Sequence, residues 1–196
     1  MRGPARGGVR AMSVEPALRE RTIALVGLMG AGKSSIGRRL AHALNLPFRD
    51  ADEEVERAAA RSIPDIFEEL GEAAFRDGER RVIARLLDEP PHVLATGGGA
   101  FMNPETRALI GKKAVSVWLK ADMEVILRRV SRRSDRPLLA GDEDPRVVLE
   151  RLAAERYPIY ALADITVESG EAAHQATVEA IIQALTLRAE QSVSPS

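Results

Sequence analysis

The segment Gly27-Leu28-Met29-Gly30-Ala31-Gly32-Lys33-Ser34 constrains this chain more than any other feature. It fills the pattern G-x-x-x-x-G-K-[ST]. Before it stands a continuous apolar run, Ile23-Ala24-Leu25-Val26; after it Ile36, Leu40 and Leu44 recur every fourth residue. The run reads as a strand buried on both faces, and the repeat as one side of a helix. A glycine-rich turn between them wraps backbone N–H groups around a phosphate, and the helix adds the positive end of its dipole. Gly30, Ala31, Gly32 and Ser35 are expected to line such a site. Lys33 is expected to reach the β- and γ-phosphates of a nucleoside triphosphate, and the Ser34 hydroxyl to ligate Mg2+.

The rest of the chain alternates in the same way. Short apolar runs end at Asp50 and cover 92–96, 114–119 and 165–167. Between them lie helical periodicities at Phe75, Glu79, Val82, Ile83 and Leu86, at Val125, Ile126 and Val130, and at Val148, Leu152 and Arg156. A last one runs through Val178, Ile181, Ile182 and Leu185. Strands alternating with helices imply an α/β fold, a parallel sheet of five strands joined by right-handed crossovers and flanked by helices. Ligands in such folds sit beyond the carboxyl ends of the strands, where Gly27, Asp50 and Gly97 fall.

The 196 residues suit one domain, assigned here to 22–188, with tails at 1–21 and 189–196 expected to be disordered. The first tail carries Arg2, Arg6 and Arg10 with no acidic residue before Glu15, as a transit peptide would. Gly3, Pro4, Gly7 and Gly8 break any amphipathic helix there, so a floppy leader is the expectation. With 28 basic against 29 acidic residues the net charge is −1, which argues against a general nucleic-acid or membrane-surface binder. The absence of cysteine excludes a disulfide scaffold, a cysteine zinc site and a thiol nucleophile. No apolar run approaches the roughly 18 residues of a spanning helix. A cytoplasmic monomer is expected.

Among proteins with this loop, a GTPase needs D-x-x-G and [NT]-K-x-D. No Asp here has Gly three positions on, and Leu119 precedes Lys120-Ala121-Asp122 where Asn or Thr belongs. That segment reads instead as a strand end with Asp122 capping a helix. A motor ATPase needs an acidic residue ending a strand, and the third strand ends at Thr96-Gly97. A small-molecule kinase remains.

On the acceptor side, Asp50 and Asp52 project from the same side if the chain there is extended. One could then hold the Mg2+ shell and the other an acceptor hydroxyl; alternatively, with Glu53 and Glu54, they form an acidic first turn of a helix. Arg156 extends the apolar stripe of Val148 and Leu152, and an inward guanidinium needs an anion. Arg76 shares a stripe with Ile83 and has Glu79 three positions on to aim it. Together they make a fork suited to a carboxylate, or each serves a structural ion pair. Arg128, Arg129, Arg132, Arg133 and Arg136 precede Pro137-Leu138-Leu139. They suit a lid that closes over the phosphates better than an RNA contact, given Asp142, Glu143 and Asp144 beside them. Trp118 is assigned to the core, Tyr157 and Tyr160 to packing around Pro158, and His42, His92 and His174 to structural roles.

Taken together, GLMGAGKS, the Asp50-Ala51-Asp52 triplet, RSIPDIFEELGEAAFR from Arg61, TGGGA from Thr96, RPLLAG from Arg136 and ERYPIYALAD from Glu155 resemble shikimate kinase. The resemblance spans about 23–187. It implies a three-layer P-loop kinase fold with a mobile lid, here at about 132–146, and ATP with Mg2+ acting on the 3-hydroxyl of shikimate. By position it makes Asp52 the base, with Lys33 and Arg136 as its catalytic partners, and puts Asp50 on Mg2+ through water. Arg76 and Arg156 would clamp the shikimate carboxylate beside the backbone of Gly98 and Gly99, and Phe67 and Phe75 would wall the ring. Arg136 would bridge the γ-phosphate from the lid, and Arg129 would lie near adenine. The loop at 168–173 lacks the basic or amide residue and the proline with which the family often contacts adenine. A gluconate-type kinase and a catalytically silent shikimate-binding module are the alternatives.

Overall fold

A computed structural model of the chain describes residues 20–131, 143–170 and 174–193. Five parallel strands form one sheet in the order β2-β3-β1-β4-β5: β1 Thr22–Val26, β2 Phe48–Asp50, β3 Val93–Ala95, β4 Ala114–Ala121 and β5 Ile165–Ser169. The strand with no polar side chain after Thr22 takes the centre, and every residue of β1 is buried. β5, at one edge, alternates buried and exposed residues instead. The helices that flank the sheet are α1 Lys33–Leu44, α2 Ala51–Ala59, α3 Ile63–Leu86, α4 Pro104–Lys113, α5 Met123–Val130, α6 Pro145–Tyr160 and α7 His174–Val193. α1 packs against α7 and the β3 side of the sheet, and α2 against α3.

Register decides what meets at the carboxyl edge. Leu25 and Asp50 both pair with Ala95, so the chain leaves β1, β2 and β3 at one level. The strand order turns back on itself at β1, with β3 on one side and β4 on the other. That is the crevice where ligands of open parallel sheets bind.

The expected elements are present, with corrections at their ends. The chain is extended only to Asp50, and Asp52 lies in the first turn of α2. Asp50 is the N-cap, accepting from the Asp52 N–H, and Asp52, Glu53 and Glu54 face the positive end of the helix dipole. The helix reading of these carboxylates therefore holds for their backbone. α3 is broken at Gly71, whose φ of 83° and ψ of 169° leave the helical region. α4 carries no clear apolar period and went unrecognised in the sequence. Its start is set by Asn103, whose side chain accepts from the N–H groups of Glu105 and Thr106. Asp122 caps α5 as expected. Of the expected lid, 132–142 lie outside the described residues, and 144–146 are the capped start of α6, with Asp144 accepting from Arg146 N–H. α7 continues to Val193, past the expected end of the domain at 188.

Candidate active site

Two cavities adjoin at the carboxyl edge of the sheet. The larger, of about 400 Å³, is lined by Met29, Gly30, Gly32, Lys33, Ser34 and Ser35 of the loop, and by Asp50, Asp52, Thr96, Gly98, Arg129 and His174. The second is lined by Ile63, Phe67 and Phe75 on its apolar side, and by Asp52, Arg76, Glu79, Gly97–Gly99 and Arg156 on its polar side. Met29, Asp52 and Gly98 belong to both, so the carboxylate of Asp52 stands where the two meet.

In the first cavity α1 begins at Lys33, with Gly32 as a left-handed N-cap. The Lys33 ammonium reaches back over the loop to the carbonyl oxygens of Gly27 and Leu28, at 2.8 and 2.9 Å. Ser34 Oγ donates to Asp50 Oδ2 at 2.6 Å. Arg129 arches over the loop and donates to the Gly30 carbonyl at 3.1 Å. The Thr96 hydroxyl donates to the Leu25 carbonyl at 2.9 Å and ties the end of β3 to β1. Ala31 is buried under the loop and lines neither cavity.

The second cavity is built around two inward arginines, as their stripes imply. Arg156 is 8% exposed on α6 among Val148, Leu149, Ala153 and Tyr160. Arg76 donates to Glu79 Oε2 at 2.9 Å, and to Glu72 at 3.2 Å on the solvent side. Its guanidinium presses on Gly99, where an added Cβ would fall 2.6 Å from Nη1, so no larger residue fits without moving it. Phe67 and Phe75 form the opposite wall, their ring centroids 4.8 Å apart. The Tyr160 hydroxyl donates to the Gly98 carbonyl.

Glu79 is 3% exposed. Burial pushes its carboxyl above the usual range, the nearby Asp52 adds to this, and Arg76 and Arg156 oppose it. Arg76 loses by burial but gains more from Glu79 and Glu72, and stays fully ionised. Among the described residues, two buried polar atoms at this cavity have no hydrogen-bond partner, Glu79 Oε1 and Arg156 Nη1. Buried polar atoms are nearly always paired, so a carboxylate oxygen and a guanidinium nitrogen left open in one cavity mark a place for a polar ligand.

The structure thus brings together Gly30, Gly32, Lys33, Ser34, Ser35, Asp50, Asp52, Arg76, Gly98, Gly99, Arg129 and Arg156. Arg136, like Arg132 and Arg133, lies outside the described residues. His92 is structural as expected, with Nδ1 2.9 Å from the Pro90 carbonyl. His174 opens α7 and lines the first cavity. Burial, together with Arg39 and Arg129, lowers its pKa. Spacing to other histidines could not reveal this residue. Its place just after the carboxyl end of β5 could have. Tyr160 is likewise more than packing, through its bond to Gly98.

The family model described as shikimate kinase matches residues 29–186. A shikimate kinase of Caulobacter vibrioides is 70% identical over 168 residues, 86% of this chain and 84% of that protein. Among solved structures, the shikimate kinase of Acinetobacter baumannii in complex with shikimate superposes with a TM-score of 0.83 at 36% identity, covering 90% of this chain and 97% of that one. A gluconokinase of Sinorhizobium meliloti superposes with a TM-score of 0.58 at 18% identity, covering 88% and 95%, a likeness of fold alone.

Proposed function

The chain belongs to the shikimate kinase family, and from that premise we propose that it transfers the γ-phosphoryl group of ATP to the 3-hydroxyl of shikimate, yielding ADP and shikimate 3-phosphate. The observation that carries this reading is the position of Asp52 on the boundary of a phosphate cavity and a carboxylate cavity. Phosphoryl transfer asks a protein mainly to position two reactants in line and to meet developing charge. The shared residue does the first, and the cations on either side do the second.

ATP lays its phosphates on the loop, where Lys33 exchanges its contacts with carbonyl oxygens for phosphate oxygens. Arg129 and His174 flank the same cavity and would contact the nucleotide. Ser34 Oγ and Asp50 Oδ2 are hard oxygen donors in contact, a set that fits Mg2+ held by few protein ligands together with phosphate oxygens and water. Ser34 would ligate the ion directly and Asp50 through water. The ion, when bound, neutralises charge on the phosphates.

Shikimate enters the second cavity with its ring against Phe67 and Phe75 and its carboxylate between Arg76 and Arg156. Asp52 accepts the proton of the 3-hydroxyl as that oxygen bonds to the γ-phosphorus and the bond to the ADP oxygen breaks. Arg136 is proposed to meet the charge on the transferred group. The enzyme is further proposed to work as a cytoplasmic monomer without nucleic-acid or membrane partners; among the described residues, no helix is long and apolar enough to cross a membrane.

The test is an ADP-release assay with Mg-ATP and shikimate, gluconate or no acceptor. Shikimate-dependent turnover is the expected result. Turnover on gluconate alone would make the chain a gluconate-type kinase, and shikimate binding without turnover a silent module.

A further inference from the structure

We infer that the Tyr160 hydroxyl is a positioning group for the acceptor site, holding the Gly98–Gly99 peptide and the Arg156 guanidinium in the arrangement that receives a carboxylate. The inference rests on the acceptor reading above and adds a residue to it. Tyr160 is fully buried, its ring 5.9 Å from Trp118 and 6.4 Å from Tyr157. A phenol has one hydrogen to donate and lone pairs to accept with. The hydrogen goes to the Gly98 carbonyl. Arg156 lies one turn earlier on α6, and its positive charge favours the phenolate against burial.

Both partners belong to the wall of the second cavity. The peptide is planar and trans, so pinning the Gly98 carbonyl on the Tyr160 side turns the Gly99 N–H away from Tyr160. A peptide between two glycines has little steric preference of its own and would rotate without such an anchor. Arg156 stands one turn away on the same helix, near enough for its charge to act on the phenol, and its Nη1, without a partner among the described residues, is left to the ligand. Burial pushes the phenol up to about 12, so it stays protonated and keeps donating to Gly98 at any pH at which enzymes work. Tyr157, three residues away, packs edge-on against Trp118 at 5.1 Å and feels Glu168 and Asp122 rather than the cavity.

The experiment compares Tyr160→Phe with Tyr157→Phe and the unmodified enzyme in steady-state kinetics and thermal melting. Loss of one buried hydrogen bond and release of the peptide should raise the shikimate KM about tenfold. The ATP KM should stay within about twofold, as the phosphate loop is untouched, and Tyr157→Phe should move neither. A lower melting temperature with the shikimate KM unmoved would make Tyr160 purely structural and overturn the inference. An unmodified enzyme that ignores shikimate would instead overturn the acceptor reading, and this role with it. Amide exchange of residues 97–102 without shikimate is a second readout: faster exchange in Tyr160→Phe than in the unmodified enzyme supports the anchor, and equal exchange overturns it.

Discussion

Replacing Arg156 by methionine separates a binding arginine from a structural one. The residue is 8% exposed in an apolar stripe, and Nη1 has no partner among the described residues. A carboxylate held by two charge-assisted hydrogen bonds gains about 1.5–3 kcal/mol from each. Losing both, about 3–6 kcal/mol, should lower kcat/KM for shikimate by a factor on the order of 10² to 10⁴, at about 1.4 kcal/mol per tenfold. The ATP KM should stay within about twofold, because Arg156 lines only the second cavity. Stability should move the other way. Replacing an imperfectly paired buried charge by an apolar side chain of similar length is neutral or stabilising, by roughly 0–2 kcal/mol here. For a domain of this size that is a rise in melting temperature of about 0–6 °C. Glu79 keeps its bond to Arg76, and burial already favours its protonated form, so it tolerates the loss of the second cation. Were Arg156 instead half of a structural ion pair, breaking it would cost about 3–5 kcal/mol and lower the melting temperature by about 10 °C or more. Thermal melting and the ADP-release assay on one protein sample decide. A large fall in melting temperature, or a kcat/KM less than about tenfold down, refutes the reasoning.

Asp52→Asn should reduce kcat by a factor on the order of 10² or more while the shikimate KM changes little; an unchanged kcat removes the base role. Glu79 binds its proton more tightly folded than unfolded, since burial raises its pKa. Stability should therefore fall as pH rises from about 4.5 through the raised pKa, where the folded state holds the extra proton. Glu79→Gln should flatten that slope in melts run as a pH series, and an unaltered slope would assign the effect to other groups. His174→Ala should raise the ATP KM severalfold with the shikimate KM unmoved, and equal change in both would place the histidine outside the nucleotide cavity.

The phosphate loop and its flanking elements could be read directly, because a buried strand, a glycine turn and an amphipathic helix each leave a local period or composition. The inward direction of Arg156 and the pairing of Arg76 with Glu79 were also legible, since helical spacing alone puts them on one stripe or within reach. Helix ends set by side-chain caps and a backbone break were not. Spacing left Asp52 open between an extended pair and the first turn of a helix, because a three-residue strand running straight into a capped helix has no period of its own. Gly71 left no pattern to read, and α4 hid behind an apolar distribution without a clear face.

The order of residues alone lays down the chemical groups and the elements that carry them. Tertiary structure decided which groups share a cavity. The parallel register of β1, β2 and β3 lifts the loop, Asp52 and the Gly97–Gly99 turn to one edge. Helices distant in sequence, α3 and α6, then turn Arg76 and Arg156 onto the same wall. His174 and Tyr160 gained their places only there, at the sheet's edge and under the glycine turn. Side-chain period is a property of one element, whereas a site is a meeting of several. The distances between elements are set by strand pairing and packing that no single segment encodes.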